Sequence, residues 1–186
     1  MPARGRFPYW LQLLPALLTG LALRLFFALR FPTDAGDTAI YEELARNWLQ
    51  DHVYGLIFAN GLAPSDVRVP GYPAFLALVY LTIGRSRSAV LLAQAALDLL
   101  TCLLVAWLAS RLVEQPLRQR TGIVALWLAA TCPFVANYAA VPLTEVLATF
   151  FTAAALAAFV YGAAALDRPV AIRRSFRTSL GSWAAC

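Results

Sequence analysis

The chain has 186 residues, 61% hydrophobic and 13% charged, with a mean hydropathy of +0.66. Soluble domains carry about 45–50% apolar and about 25% charged residues, so this composition excludes a water-soluble globule, a disordered chain and a disulfide-stapled secreted miniprotein. The net charge is +5, yet the arginines sit in small groups between apolar runs instead of forming the basic stripe that nucleic acid requires. All 15 basic residues are arginine, a matter of coding composition. Cys102 and Cys132 lie within apolar runs and Cys186 is terminal, so no disulfide framework is implied.

An isolated helix crosses the ~30 Å hydrocarbon core with about 20 apolar residues. Four runs reach that length, residues 9–31, 88–110, 121–140 and 143–166, and an all-α polytopic membrane protein is predicted. The first follows Arg4 and Arg6; it is too long for a signal peptide and no small-residue cleavage site follows it, so it reads as an anchor. Between the first two spans lies a long segment, residues 32–87, with helical periodicity at Ile40, Leu44 and Trp48, widened by Tyr41 and Ala45. It predicts a helix over 38–51, capped by Asp37 and Thr38 and lying flat at the headgroup level through Trp48 and Tyr41. The run 71–84 makes only about 21 Å of helix, too short to cross alone.

Arginine placement decides how that short run lies. With the N-terminus inside and the run not crossing, nine arginines fall inside and four (Arg46, Arg68, Arg85 and Arg87) fall outside. A crossing would invert the bias, so 71–84 is predicted to lie along the outer interface or to dip in and return. Seven of the ten acids then gather on the outer face, which is where polar chemistry is expected. The residues from 167 onward read as a polar basic tail outside the membrane domain 1–166.

Each candidate residue carries a plain and a functional reading. Asp37 is either a helix N-cap or a general base at the membrane edge. Glu145, in Pro-Leu-Thr-Glu, either complements a helix dipole or faces a polar cavity. Arg68 either snorkels to headgroups or binds a lipid-linked phosphate through two parallel hydrogen bonds. Arg85 and Arg87 read as headgroup contacts. Arg24 and Asp98 lie at similar depth within predicted spans and are expected to form a structural intramembrane ion pair. His52 is the single histidine, and the sequence holds neither a metal-ligand spacing nor a phosphate-binding glycine loop.

In order, the chain shows a span, Gly36-Asp37-x-x-x-Tyr41, an interfacial helix, Arg68-x-Pro-Gly-Tyr-Pro and a short apolar helix ending at Gly84. A further span follows, then Pro133 and Tyr138 ahead of Thr144-Glu145. Over about residues 15–165 this resembles the N-terminal half of the GT-C membrane glycosyltransferases, the protein-mannosyltransferase and aminoarabinose-transferase-like group, and within it the bacterial branch with the Pro-Gly-Tyr-Pro signature. The signature is specific for the superfamily and not for a substrate.

The resemblance implies a bacterial inner-membrane protein with a cytoplasmic N-terminus. It implies inverting transfer of a sugar from a polyprenyl-phosphate carrier to a lipid, polysaccharide or protein acceptor on the extracytoplasmic face. Asp37 matches the first-loop catalytic carboxylate, Arg68 the basic residue that contacts the carrier phosphate, and Tyr41 and Glu145 substrate-binding positions. Any divalent cation would be placed at Glu145. Val69 stands where many relatives have a further proline. Family members also have many more spans, so the chain is expected to be a truncated product with little activity alone. Two other classes stand beside this one: a non-catalytic membrane scaffold or partner subunit, and a transporter fragment suggested by Arg24 and Asp98.

Overall fold

The computed structural model describes residues 8–31 and 33–166; the predicted tail and the predicted inner-side arginines Arg4 and Arg6 lie outside them. The elements are α1 (Tyr9–Arg30), α2 (Thr38–Gln50), β1 (Gly55–Phe58), β2 (Gly61–Pro64), α3 (Gly71–Thr82), α4 (Arg87–Arg111), α5 (Arg118–Ala130), α6 (Pro133–Tyr138) and α7 (Glu145–Leu166). Among the described residues three helices, α1, α4 and α7, are long and apolar enough to cross a membrane.

The predicted unbroken span over 121–140 is the correction. Helix α5 stops at Ala130, Cys132 is extended (φ −65°, ψ 112°) and α6 starts with Pro133. Proline lacks an N–H and drives the residue before it out of the helical region, so the helix ends there although the apolar run continues. The α5–α6 segment nevertheless runs the length of the bundle. A side-chain carbon on Gly122 would lie 2.8 Å from the Tyr9 hydroxyl and 3.4 Å from Ser110 Cβ. At the far end Gln94 Nε2 donates to the Val141 carbonyl at 2.9 Å. Thus α1 and α5–α6 run one way, and α4 and α7 return. One end holds Tyr9, Arg111 and Arg118; the other holds Thr33, whose carbonyl accepts from Arg87 Nη2 at 2.8 Å.

Small side chains set the bundle's spacing. Ala16, Cys102, Ala106, Leu126 and Ala130 form a buried cluster where α1, α4 and α5 meet. Gly20 of α1 faces Ala130 so closely that a Cβ there would stand 2.9 Å from Ala130 Cβ. Close approach through small residues compensates for the weak hydrophobic drive between helices in lipid.

Above the far end sit α2, the hairpin and α3. Helix α2 buries Tyr41, Leu44 and Ala45, whereas Trp48 stays partly exposed, so its inner face is rotated from the predicted Ile40–Leu44–Trp48 stripe. The β1–β2 hairpin was not expected. It pairs antiparallel with Phe58 opposite Gly61, turning at Ala59-Asn60, and Gly61 takes φ +107°, a left-handed conformation that glycine adopts without strain. It docks on α2 through Asn47 Nδ2 to the Gly55 carbonyl (2.9 Å) and through the Ile57 N–H to Glu43 Oε1 (2.7 Å).

Gly20→Val is expected to destabilise the bundle by about 1–3 kcal/mol through overpacking. Gly162→Ala, where a Cβ meets nothing within 4 Å, is expected to be neutral or to stabilise by up to about 1 kcal/mol. Unfolding midpoints in detergent read both; equal effects would reject the close α1–α5 approach.

Candidate functional site

The end of the bundle that carries α2 and α3 brings Asp37 and Arg68 together. Asp37 occupies the N-cap position of α2, yet its side chain makes no capping hydrogen bond. Its Oδ1 instead accepts from Arg68 Nη2 at 2.6 Å, across a separation of 31 residues. Both side chains keep access to solvent, 30% for Arg68 and 44% for Asp37. The hydrogen bond that Arg68 donates to Asp37 raises the Arg68 pKa above its ordinary value, and Tyr41 adds to the effect.

Arg68 is held from behind. Its carbonyl accepts from the Tyr54 hydroxyl at 2.7 Å, and its own Nη1 donates to the Val67 carbonyl at 2.8 Å. Tyr54 stacks edge-on against Trp48 of α2, with ring centroids 5.2 Å apart. Pro70 then starts α3, whose first turn carries Tyr72 and Pro73, both buried. Burial holds the Tyr72 pKa far above that of a free phenol, reinforced by Tyr80, Glu42 and Glu145. The phenol stays protonated and donates to Gln94 Oε1 at 2.5 Å. Gln94 is fully buried and donates onward to the loop ahead of α7. Tyr41 packs edge-on against Tyr72 at 5.1 Å and also acts on Arg68, so it links the ion pair to the Tyr72 cluster.

Glu145 opens α7 at this same end and is exposed. The Thr38 hydroxyl, next to Asp37, donates to the Pro142 carbonyl at 3.1 Å, which fixes the start of α2 to the loop leading into Glu145. Among the described residues Glu145 joins no ion pair, and no group of three His, Cys, Asp or Glu side chains converges as a metal site. Arg87 pairs with Asp34, closing the α1–α2 connection over the start of α4.

Arg24 and Asp98 form a separate site within the bundle, exposed by only 1% and 2%. Arg24 Nε donates to Asp98 Oδ2 at 2.6 Å and Nη2 makes a second contact with the same oxygen. Nη1 donates to the Gly20 and Ala130 carbonyls, each at 2.8 Å, and Nη2 reaches Cys102 Sγ at 3.4 Å. Four hydrogen bonds and the second carboxylate contact thus engage all three guanidinium nitrogens. The Ala130 carbonyl is one that α5 would have bonded internally had the helix continued, so the break and the buried arginine satisfy each other. A buried arginine bonded to three helices through all three of its nitrogens favours a structural role.

Sequence reasoning did not reach Tyr54, Tyr72 or Gln94. Tyr72 sits in the Pro-Gly-Tyr-Pro motif, and Gln94 is a polar residue in an apolar span, a signal of a specific partner.

Compared with protein-family models, with curated proteins and with solved structures, the chain shows no significant match.

Asp98→Ala is expected to cost about 3–5 kcal/mol by leaving a buried guanidinium uncompensated. The double change Arg24→Met with Asp98→Leu is expected to cost clearly less than the single one. Chemical unfolding in detergent measures the difference; a double variant as unstable as the sum of both singles would show the two side chains to be uncoupled.

Proposed function

We propose that this chain is a GT-C type glycosyltransferase that moves a sugar from a polyprenyl phosphate to an acceptor hydroxyl at the membrane surface. The observation that carries the reading is the Asp37–Arg68 pair, a carboxylate and a guanidinium 2.6 Å apart and open to solvent at one end of a membrane-type helical bundle. A cap residue that leaves its helix N–H groups to reach an arginine in another segment fits a reactive group better than a cap.

In this reading the chain crosses a bacterial inner membrane four times. The third crossing is the broken α5–α6 segment, tolerated because its freed carbonyl is satisfied within the protein. The N-terminus is cytoplasmic and the Asp37 end extracytoplasmic.

The chemistry follows from competition for one guanidinium. Without a carrier, Asp37 and Arg68 neutralise each other. A carrier phosphate is a stronger, bidentate partner for arginine and displaces the carboxylate. Asp37 is then unpaired and solvent-accessible beside the bound donor. The acceptor oxygen attacks the anomeric carbon as its proton passes to Asp37. The bond from that carbon to the phosphate oxygen breaks, and the departing phosphate keeps the electron pair, stabilised by Arg68. Attack opposite the leaving group inverts the configuration. Tyr41 links the pair to the Tyr72 cluster, and Glu145 stands at the same rim as a contact for the sugar or for a divalent cation.

Arg68→Gln is expected to weaken binding of polyprenyl phosphate to the protein in nanodiscs by at least about tenfold, with Arg68→Lys intermediate because it cannot bind bidentately. In membranes supplied with a polyprenyl-phosphate-linked hexose or pentose, Asp37→Asn is expected to lower transfer by about 10²–10⁴-fold. Unchanged carrier binding in the Arg68 variant would reject the phosphate assignment, and unchanged transfer would reject Asp37 as the base.

A further inference from the structure

The opposite end of the bundle holds a second site that the proposed transfer does not use. Trp107 and Arg111 of α4, Arg118 of α5 and Tyr161 and Ala164 of α7 enclose a cavity of about 240 Å³. The Arg111 guanidinium lies over the Trp107 ring, 4.8 Å from its centroid. Arg118 Nε is buried without a hydrogen-bond partner. Neither arginine joins an ion pair among the described residues, and Glu114, in the connection between α4 and α5, pairs with neither. Two guanidiniums line one cavity with no acid paired to either among the described residues, a lining that favours an anion.

One helical turn further along α4 and α7 a hollow of about 480 Å³ opens, walled by Thr101, Val105 and Leu108, by Ala129 of α5, and by Thr152 and Leu156. Leu156 is 53% exposed, so the hollow opens to the bundle's outer surface. A basic cavity flanked by tryptophan and tyrosine, with an apolar hollow further along α4 and α7, has the polarity profile of an amphiphile with an anionic head. A free phosphate would fill the cavity and leave the trough empty. A protein segment would fill the trough and leave the guanidiniums unmatched unless it supplied an acid.

We propose that the groove between α4, α5 and α7 seats an anionic phospholipid, its phosphate between Arg111 and Arg118 and an acyl chain along the trough. The site lies at the far end of the bundle from Asp37 and Arg68, and it does not depend on the transferase reading. The lipid completes a bundle wall that the described helices leave open.

Quenching of Trp107 by brominated lipid tests this. The protein is placed in vesicles containing brominated phosphatidylglycerol or brominated phosphatidylcholine, and the signal missing from Trp107→Phe isolates the site. The wild-type chain is expected to prefer phosphatidylglycerol on the order of tenfold. The preference is expected to vanish in the Arg111→Gln/Arg118→Gln double variant, and also in Ala164→Phe, which keeps both charges and fills the cavity. No preference in the wild-type chain, as expected were a protein segment to occupy the groove, would overturn the proposal. A preference surviving Ala164→Phe would also overturn it, since it would mark diffuse surface attraction.

Discussion

The bundle depends on one buried guanidinium. Arg24 touches α4 through Asp98 and Cys102, its own helix through Gly20, and the end of α5 through Ala130. A charge placed among apolar helices is tolerated only when paired and hydrogen-bonded, and here all three guanidinium nitrogens are engaged. The same contact accounts for two irregularities nearby. Gly20 lets α5 approach closely enough for the Ala130 carbonyl to be reached. The interruption at Cys132–Pro133 frees that carbonyl to be taken.

The Arg24–Asp98 and Asp37–Arg68 ion pairs differ in kind. The Arg24–Asp98 pair is sealed, so breaking it strands a charge and costs several kcal/mol, about 3–5 by analogy with other buried pairs. The Asp37–Arg68 pair is open to solvent, where water screens the attraction and such contacts add little net stability. A contact that weak does little to hold a fold. In the proposed transfer it is exchanged for the carrier phosphate. Tyr54 holds the Arg68 carbonyl, and Tyr41, which adjoins Arg68, packs on Tyr72 and through it is tied to Gln94.

Much of this frame was legible in the amino-acid sequence because membrane burial leaves coarse marks. Long apolar runs locate α1, α4 and α7 within one or two residues, and equal depth in two spans makes Arg24 and Asp98 readable as partners. The broken helix escaped because run length was weighed above Pro133, and hydropathy does not register a missing N–H. The hairpin escaped because its strands are four residues each and the surrounding segment reads as helix and proline turns; Asn60-Gly61 was the available signal. Asp37 illustrates a different limit. A short polar residue before a helix reads as a cap, and only the fold reveals an arginine 31 residues away as the stronger partner.

The central claim is that Asp37 acts on the carrier phosphate through Arg68 and not merely as a nearby negative charge. A double-mutant cycle on polyprenyl phosphate affinity addresses it directly. The account predicts that Asp37→Asn tightens binding when Arg68 is present and has no effect in the Arg68→Gln background. An equal change in both backgrounds, or weaker binding with Arg68 intact, would contradict it.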